Sequence, residues 1–245
     1  MSMVDREVVD GIRTALSRGG DPDRAAQQQR YMKSALPFRG LTSAQVKAAL
    51  RPVLTAYTPV DQDRWEMTVR VLWDDAAYRE ERYAALALVR HSRAQPWLGV
   101  GTVPLLRHLV VTGAWWDLVD EISGHPLRDA LLADRLAVDP VMRAWAHEDD
   151  VWLRRASVLC QLGAKESTDV TLLGYVVEAN LDDRSFWLRK AIGWALRDYA
   201  KTDPEWVLRE VEVLGERLSG LSRREALRHL GPEVRAGRES AEGAG

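Results

Sequence analysis

The chain has 245 residues, 46% hydrophobic and 29% charged, with a formal charge of -2, which excludes a wholly disordered or collagen-like polypeptide. No apolar run approaches the roughly 18 residues of a membrane span, and the start, MSMVDREVVDG, carries acids where a signal peptide has an apolar core. A single cysteine, Cys160, excludes a disulfide framework and a cysteine-rich zinc site, so a cytoplasmic protein is expected.

Apolar residues return at helical spacing along almost the whole chain, and no run of alternating β-branched residues bounded by Asn-Gly or Asp-Gly marks a strand. The fold class is all-α. Breakers at Gly19-Gly20, Pro37, Gly40, Pro52, Pro59, Pro96, Gly99, Gly113, Gly124 to Pro126, Pro140, Gly163, Pro204 and Gly220 divide it into roughly a dozen helices of about 10 to 17 residues. From Arg24 to Val60 the chain holds Arg24, Arg30, Lys33, Arg39, Lys47 and Arg51 and no acid, whereas Asp61 to Glu81 is rich in acids. This segregation suits either ordinary solvated helix faces or a positive groove set off by an acidic outer surface, and a groove would bind a polyanion despite the net charge. Next comes YAALALVRH (83 to 91), then AWWDLVDEISGH (114 to 125), in which Trp116 and Asp120 are spaced i, i+4 and share a helix face. Adjacent helical residues point about 100° apart, so if one of Trp115 and Trp116 is buried the other turns to the side or outside. VWLRRASVLCQLG (151 to 163) and FWLRKAIGWALRDYA (186 to 200) follow, and Asp203-Pro204-Glu205 reads as a capped helix start.

The last two long segments repeat. Trp-Leu-Arg-basic-Ala recurs in register from Trp152 and Trp187, 35 residues apart, with a weaker echo at Trp115. A period of that length built from two helices is the signature of a HEAT-like α-solenoid, in which helix pairs bury their apolar faces by stacking and present a concave face. One domain over 1-236 is expected, with a polar, disordered tail over 237-245. Of ten tryptophans most belong to the core, among them Trp152, Trp187 and Trp206. Arg155 lies 39 residues after Trp116, and Trp194 lies 39 after Arg155, so the three occupy similar stations on successive helix pairs. Two aromatics, an acid and a basic group then meet on one surface.

RYMKSALPFRGL (30 to 41), WWDLVDEI (115 to 122), VWLRRASVL (151 to 159) and KAIGWALRDYAKTDP (190 to 204) resemble the AlkD-like DNA alkylation repair glycosylases, over about Tyr31 to Trp206. The sequence departs from the family at Ser34, where Asn is common, and at Arg39, where an apolar residue is common. The resemblance implies an active site at Trp116, Asp120, Arg155 and Trp194, acting on alkylated bases in duplex DNA without flipping them, in base excision repair. Purines alkylated at ring nitrogen 3 or 7 are cationic and leave without a general acid. One carboxylate, Asp120, suffices to stabilise the oxocarbenium character of the sugar and to orient or deprotonate a water. The indole faces of Trp116 and Trp194 pack on the sugar and attract its charge, and Arg155 is expected to fork onto a phosphate oxygen. Tyr31 and Lys33 are candidate contacts to the DNA backbone.

Five scattered histidines have no metal-ligand spacing, so neither a metal nor a cofactor is expected. Cys160 reads as inert core, and the turn at Gly99-Val100-Gly101 lacks the strand and lysine of a phosphate loop. A monomeric glycosylase for 3- and 7-alkylpurines is the leading reading. The alternative is a catalytically silent DNA-binding relative that recognises distorted or branched DNA, and a protein-binding HEAT scaffold stands third.

Overall fold

Side chains of Asp, Ser and Thr start most of the helices. Asp21, Thr42, Asp61, Asp134, Asp150, Asp169, Ser185, Asp203 and Ser219 each accept a first-turn backbone N–H that has no partner within its helix. The Asp203-Pro204 start forms as its sequence predicts, with Asp203 accepting from the Trp206 N–H at 2.8 Å. The computed structural model describes residues 4–230, among which there are fourteen α-helices and no strand. The proposed tail from 237 lies outside the described residues. Among them no helix is long and apolar enough to cross a membrane.

The chain falls into two compact units, Met1–Leu98 and Gly99–Gly245. The first holds α1 (Arg6–Leu16), α2 (Pro22–Met32), α3 (Ser43–Ala56), α4 (Gln62–Asp74) and α5 (Arg79–Val89). Helix α1 packs on α3, α4 and α5 around Ile12, Leu16, Trp65, Leu72, Trp73 and Leu88. Glu80 and Glu81 are each 1% exposed, so this end of the acid-rich stretch is neither a solvated face nor an outer surface. Glu80 accepts backbone N–H bonds from Arg39, Gly40 and Leu41 at 2.9–3.3 Å, and Glu81 pairs with Arg13 and Arg39. Gly40, at φ +83, has to be glycine, because a Cβ there would lie 2.0 Å from the Asp21 carbonyl oxygen.

The second unit comprises α6 (Val103–Gly113), α7 (Trp116–Ile122), α8 (Arg128–Ala133), α9 (Arg135–Trp145), α10 (Val151–Leu159), α11 (Val170–Glu178), α12 (Phe186–Tyr199), α13 (Pro204–Leu214) and α14 (Gly220–Ala226). Helices α7, α10, α12 and α14 form a row in which each packs on the next. Helices α9 and α11 pack on one another and on α10, while α13 lies against α12 and α14. Serial stacking of this kind is that of an α-solenoid.

Several breakers do not break. Pro52 lies within α3 and Pro140 within α9, helices whose buried faces (Val46 and Leu50; Val138, Met142 and Trp145) hold them together without the N–H that proline lacks. Gly124 and Pro126 fall in a π-turn, Ser123–Leu127, that joins α7 to α8 with helical backbone on either side. Gly193 is required by packing: a Cβ there would meet the Glu225 Cβ at 2.5 Å and the Ser222 carbonyl oxygen at 2.8 Å, so its absence lets α14 lie directly on α12.

Candidate active site

Ala114, in the left-handed region at φ 38, ends α6, and Trp115 is extended, so α7 begins at Trp116. The two indoles therefore do not share a helix, and the 100° argument does not apply to them: both are half-buried. Trp115 turns toward Trp152 and Trp187, with ring centroids at 5.9 and 5.3 Å, and those two rings lie 5.4 Å apart. The three positions that mark the sequence repeat thus converge on one aromatic cluster. Trp152 is core, as its sequence predicts, whereas Trp187 and Trp206 are half-buried. Trp116 stays outside this cluster, one turn before Asp120 on the same face of α7.

Asp120 and Arg155 meet in a bidentate pair. The Arg155 Nε donates to Asp120 Oδ1 at 2.7 Å and its Nη2 to Oδ2 at 2.8 Å, while Nη1 donates to the backbone carbonyl of Trp187. The guanidinium also faces the Trp187 ring, 5.9 Å from its centroid. The Arg155 side chain is 3% exposed and that of Asp120 12%. The fork expected to grip a phosphate is therefore occupied by Asp120, and burial keeps Arg155 from reaching outward. Burial also pushes the Asp120 carboxyl above the usual carboxylate range. The Arg155 hydrogen bonds and charge oppose that shift without cancelling it, and the nearby Asp117 charge adds to it.

Trp194 lies on α12 two turns beyond Trp187, half-buried, in the turn that Gly193 opens to α14. Tyr31 and Lys33 belong to the other unit: Tyr31 is 74% exposed near the end of α2, and Lys33, also exposed, ends that helix in the left-handed conformation at φ 49. Sequence reasoning missed the part played by Trp187, because the group that holds Arg155 is a backbone carbonyl, which carries no residue-type signal. Cys160 is 1% exposed, and burial pushes its thiol up to about 12.

A solved structure from Enterococcus faecalis, described as a predicted DNA alkylation repair enzyme, is 27% identical with a TM-score of 0.77, the match covering 86% of this chain and 97% of that one. The Pseudomonas fluorescens alkylpurine DNA glycosylase AlkC, solved bound to DNA containing an abasic site analog, is 20% identical with a TM-score of 0.44, over 92% of this chain and 61% of that one. No curated protein matches. The family model described as DNA alkylation repair enzyme matches residues 12–230, and the chain belongs to that family.

Proposed function

We propose that the chain is an AlkD-like, monofunctional DNA glycosylase that releases cationic 3- and 7-alkylpurines from duplex DNA without flipping the base, the first step of base excision repair. The observation that carries this reading is Asp120: a carboxylate held in one orientation by a bidentate arginine, one turn from an indole and still 12% exposed. In this reading the C1′–N bond of the alkylated nucleotide breaks with its electron pair moving to the ring nitrogen, which neutralises the leaving base. The positive charge that develops on the sugar is met by the Asp120 anion, and Trp116 and Trp194 supply quadrupole attraction of roughly 0.5–2 kcal/mol each. A water then adds to C1′ and gives its proton to Asp120, leaving an abasic site.

Arg155 is a positioning residue in this mechanism. It fixes the carboxylate, and the Trp187 carbonyl fixes Arg155. The working form is a cytoplasmic monomer with neither metal nor cofactor. The test is release of free 7-methylguanine and 3-methyladenine from methylated duplex DNA. Asp120→Asn, which keeps the shape of the side chain, is expected to lower the single-turnover rate at least about 100-fold with duplex binding retained. Duplex binding without release by the wild type would shift the assignment to the catalytically silent relative.

A further inference from the structure

Because Arg155 is engaged by Asp120, the phosphate contact beside the site has to come from another residue. Lys190 follows Trp187 by three residues, as Arg155 follows Trp152, and so holds the same station one helix pair later. Its side chain is 35% exposed, against 3% for Arg155. Lys190 also precedes Trp194 by one turn on the same face of α12. Glu225 of α14 binds Lys190 Nζ through Oε1 at 2.6 Å and Arg197 Nη1 through Oε2 at 2.5 Å. The Lys190 hydrogen bond leads the forces that hold the Glu225 carboxyl below the usual carboxylate range, and the charges of Arg197 and Arg228 add to it. One carboxylate thus faces three cations, and the exposed Arg224 of α14 has no carboxylate partner among the described residues. The cluster has more positive than negative charge, which suits a polyanion.

We propose that Lys190 takes a backbone phosphate of the DNA strand whose sugar packs on Trp194, leaving Glu225 to Arg197 while it does so. A partly exposed ion pair is weak, so the exchange of one anion for another is easy. The identity of the strand rests on the glycosylase reading; the phosphate contact itself is a matter of binding and is measured apart from base release.

The experiment is a salt series of binding to a fluorescently labelled, undamaged duplex, with wild type, Lys190→Gln, Lys190→Arg and Glu225→Gln. Lys190→Gln is expected to raise Kd several-fold and to flatten the slope of log affinity against log salt by about 1. Lys190→Arg keeps the wild-type slope, and Glu225→Gln, which removes the competing anion, tightens binding at low salt. An unchanged slope in Lys190→Gln, or Glu225→Gln weakening binding just as Lys190→Gln does, overturns the inference, because opposite signs are what a purely structural ion cluster does not give. Wild type that binds with the predicted slopes yet releases no base leaves the phosphate contact standing and removes the glycosylase reading.

Discussion

In the proposed mechanism Asp120 has to be an anion, in surroundings that resist charge. Its carboxyl sits above the usual carboxylate range because burial outweighs Arg155, so the acid limb of base release is expected above that range too. Arg155→Gln removes the opposing hydrogen bonds and charge, and the limb should move further toward neutral pH; single-turnover rates across a pH series measure this. The same variant leaves a buried carboxylate without its partner, at a cost of about 3 kcal/mol at neutral pH. Because the folded-state value is raised, the cost belongs to the ionised form: it is fully present above the folded value and shrinks as falling pH protonates Asp120. Urea unfolding of wild type and variant should therefore show a gap that narrows on acidification. A gap independent of pH would mean that Arg155 stabilises by packing alone. The sequence singled out both residues, but not their pairing. A spacing of 39 residues assigned Arg155 its station, whereas the bond to Asp120 depends on burial, which a spacing does not record.

Among the elements, α12 and α14 depend on the single missing side chain at Gly193. Gly193→Ala would set a Cβ 2.5 Å from that of Glu225 and 2.8 Å from the backbone oxygen of Ser222, and backbone cannot swing away. The helices must part, with an expected loss of about 1–3 kcal/mol read as a lower Tm. The contacts of Glu225 to Lys190 and Arg197 should loosen with them. The sequence showed where many helices begin, because caps such as Asp203 act within their own first turn. It did not show that α7 continues into α8 through Gly124 and Pro126, or that α3 and α9 run through Pro52 and Pro140. A proline breaks a helix only when nothing else holds it, and what holds these is packing on distant residues. Other helices are shorter than the predicted span, down to six residues in α8.

At the scale of the whole molecule, a net charge of -2 understates what a polyanion meets. Six of the acids are Asp side chains engaged at helix starts, and Glu80 and Glu81 are buried against backbone N–H groups and arginines. On the first unit Arg30, Lys33, Lys47 and Arg51 are exposed and have no carboxylate partner among the described residues. If Tyr31 and Lys33 touch the DNA backbone, Lys33→Ala should weaken duplex binding and lower the salt slope by about 1, with the release rate at saturation unchanged. A slope equal to wild type would remove Lys33 from the interface. Charge segregation was legible along the chain; which acids remain outside was not, since that is decided by folding.

The aromatic cluster has an optical consequence. Indoles with centroids 5.3–5.9 Å apart, contributed by the residue that precedes α7 and by α10 and α12, share their ultraviolet transitions in place of absorbing as isolated chromophores. Their circular dichroism depends on mutual orientation, so it reports whether these three helices keep their stacking. A partial opening of the row would dim that signal while helical content stayed unchanged, giving the protein a built-in gauge of the scaffold that holds Asp120 in place.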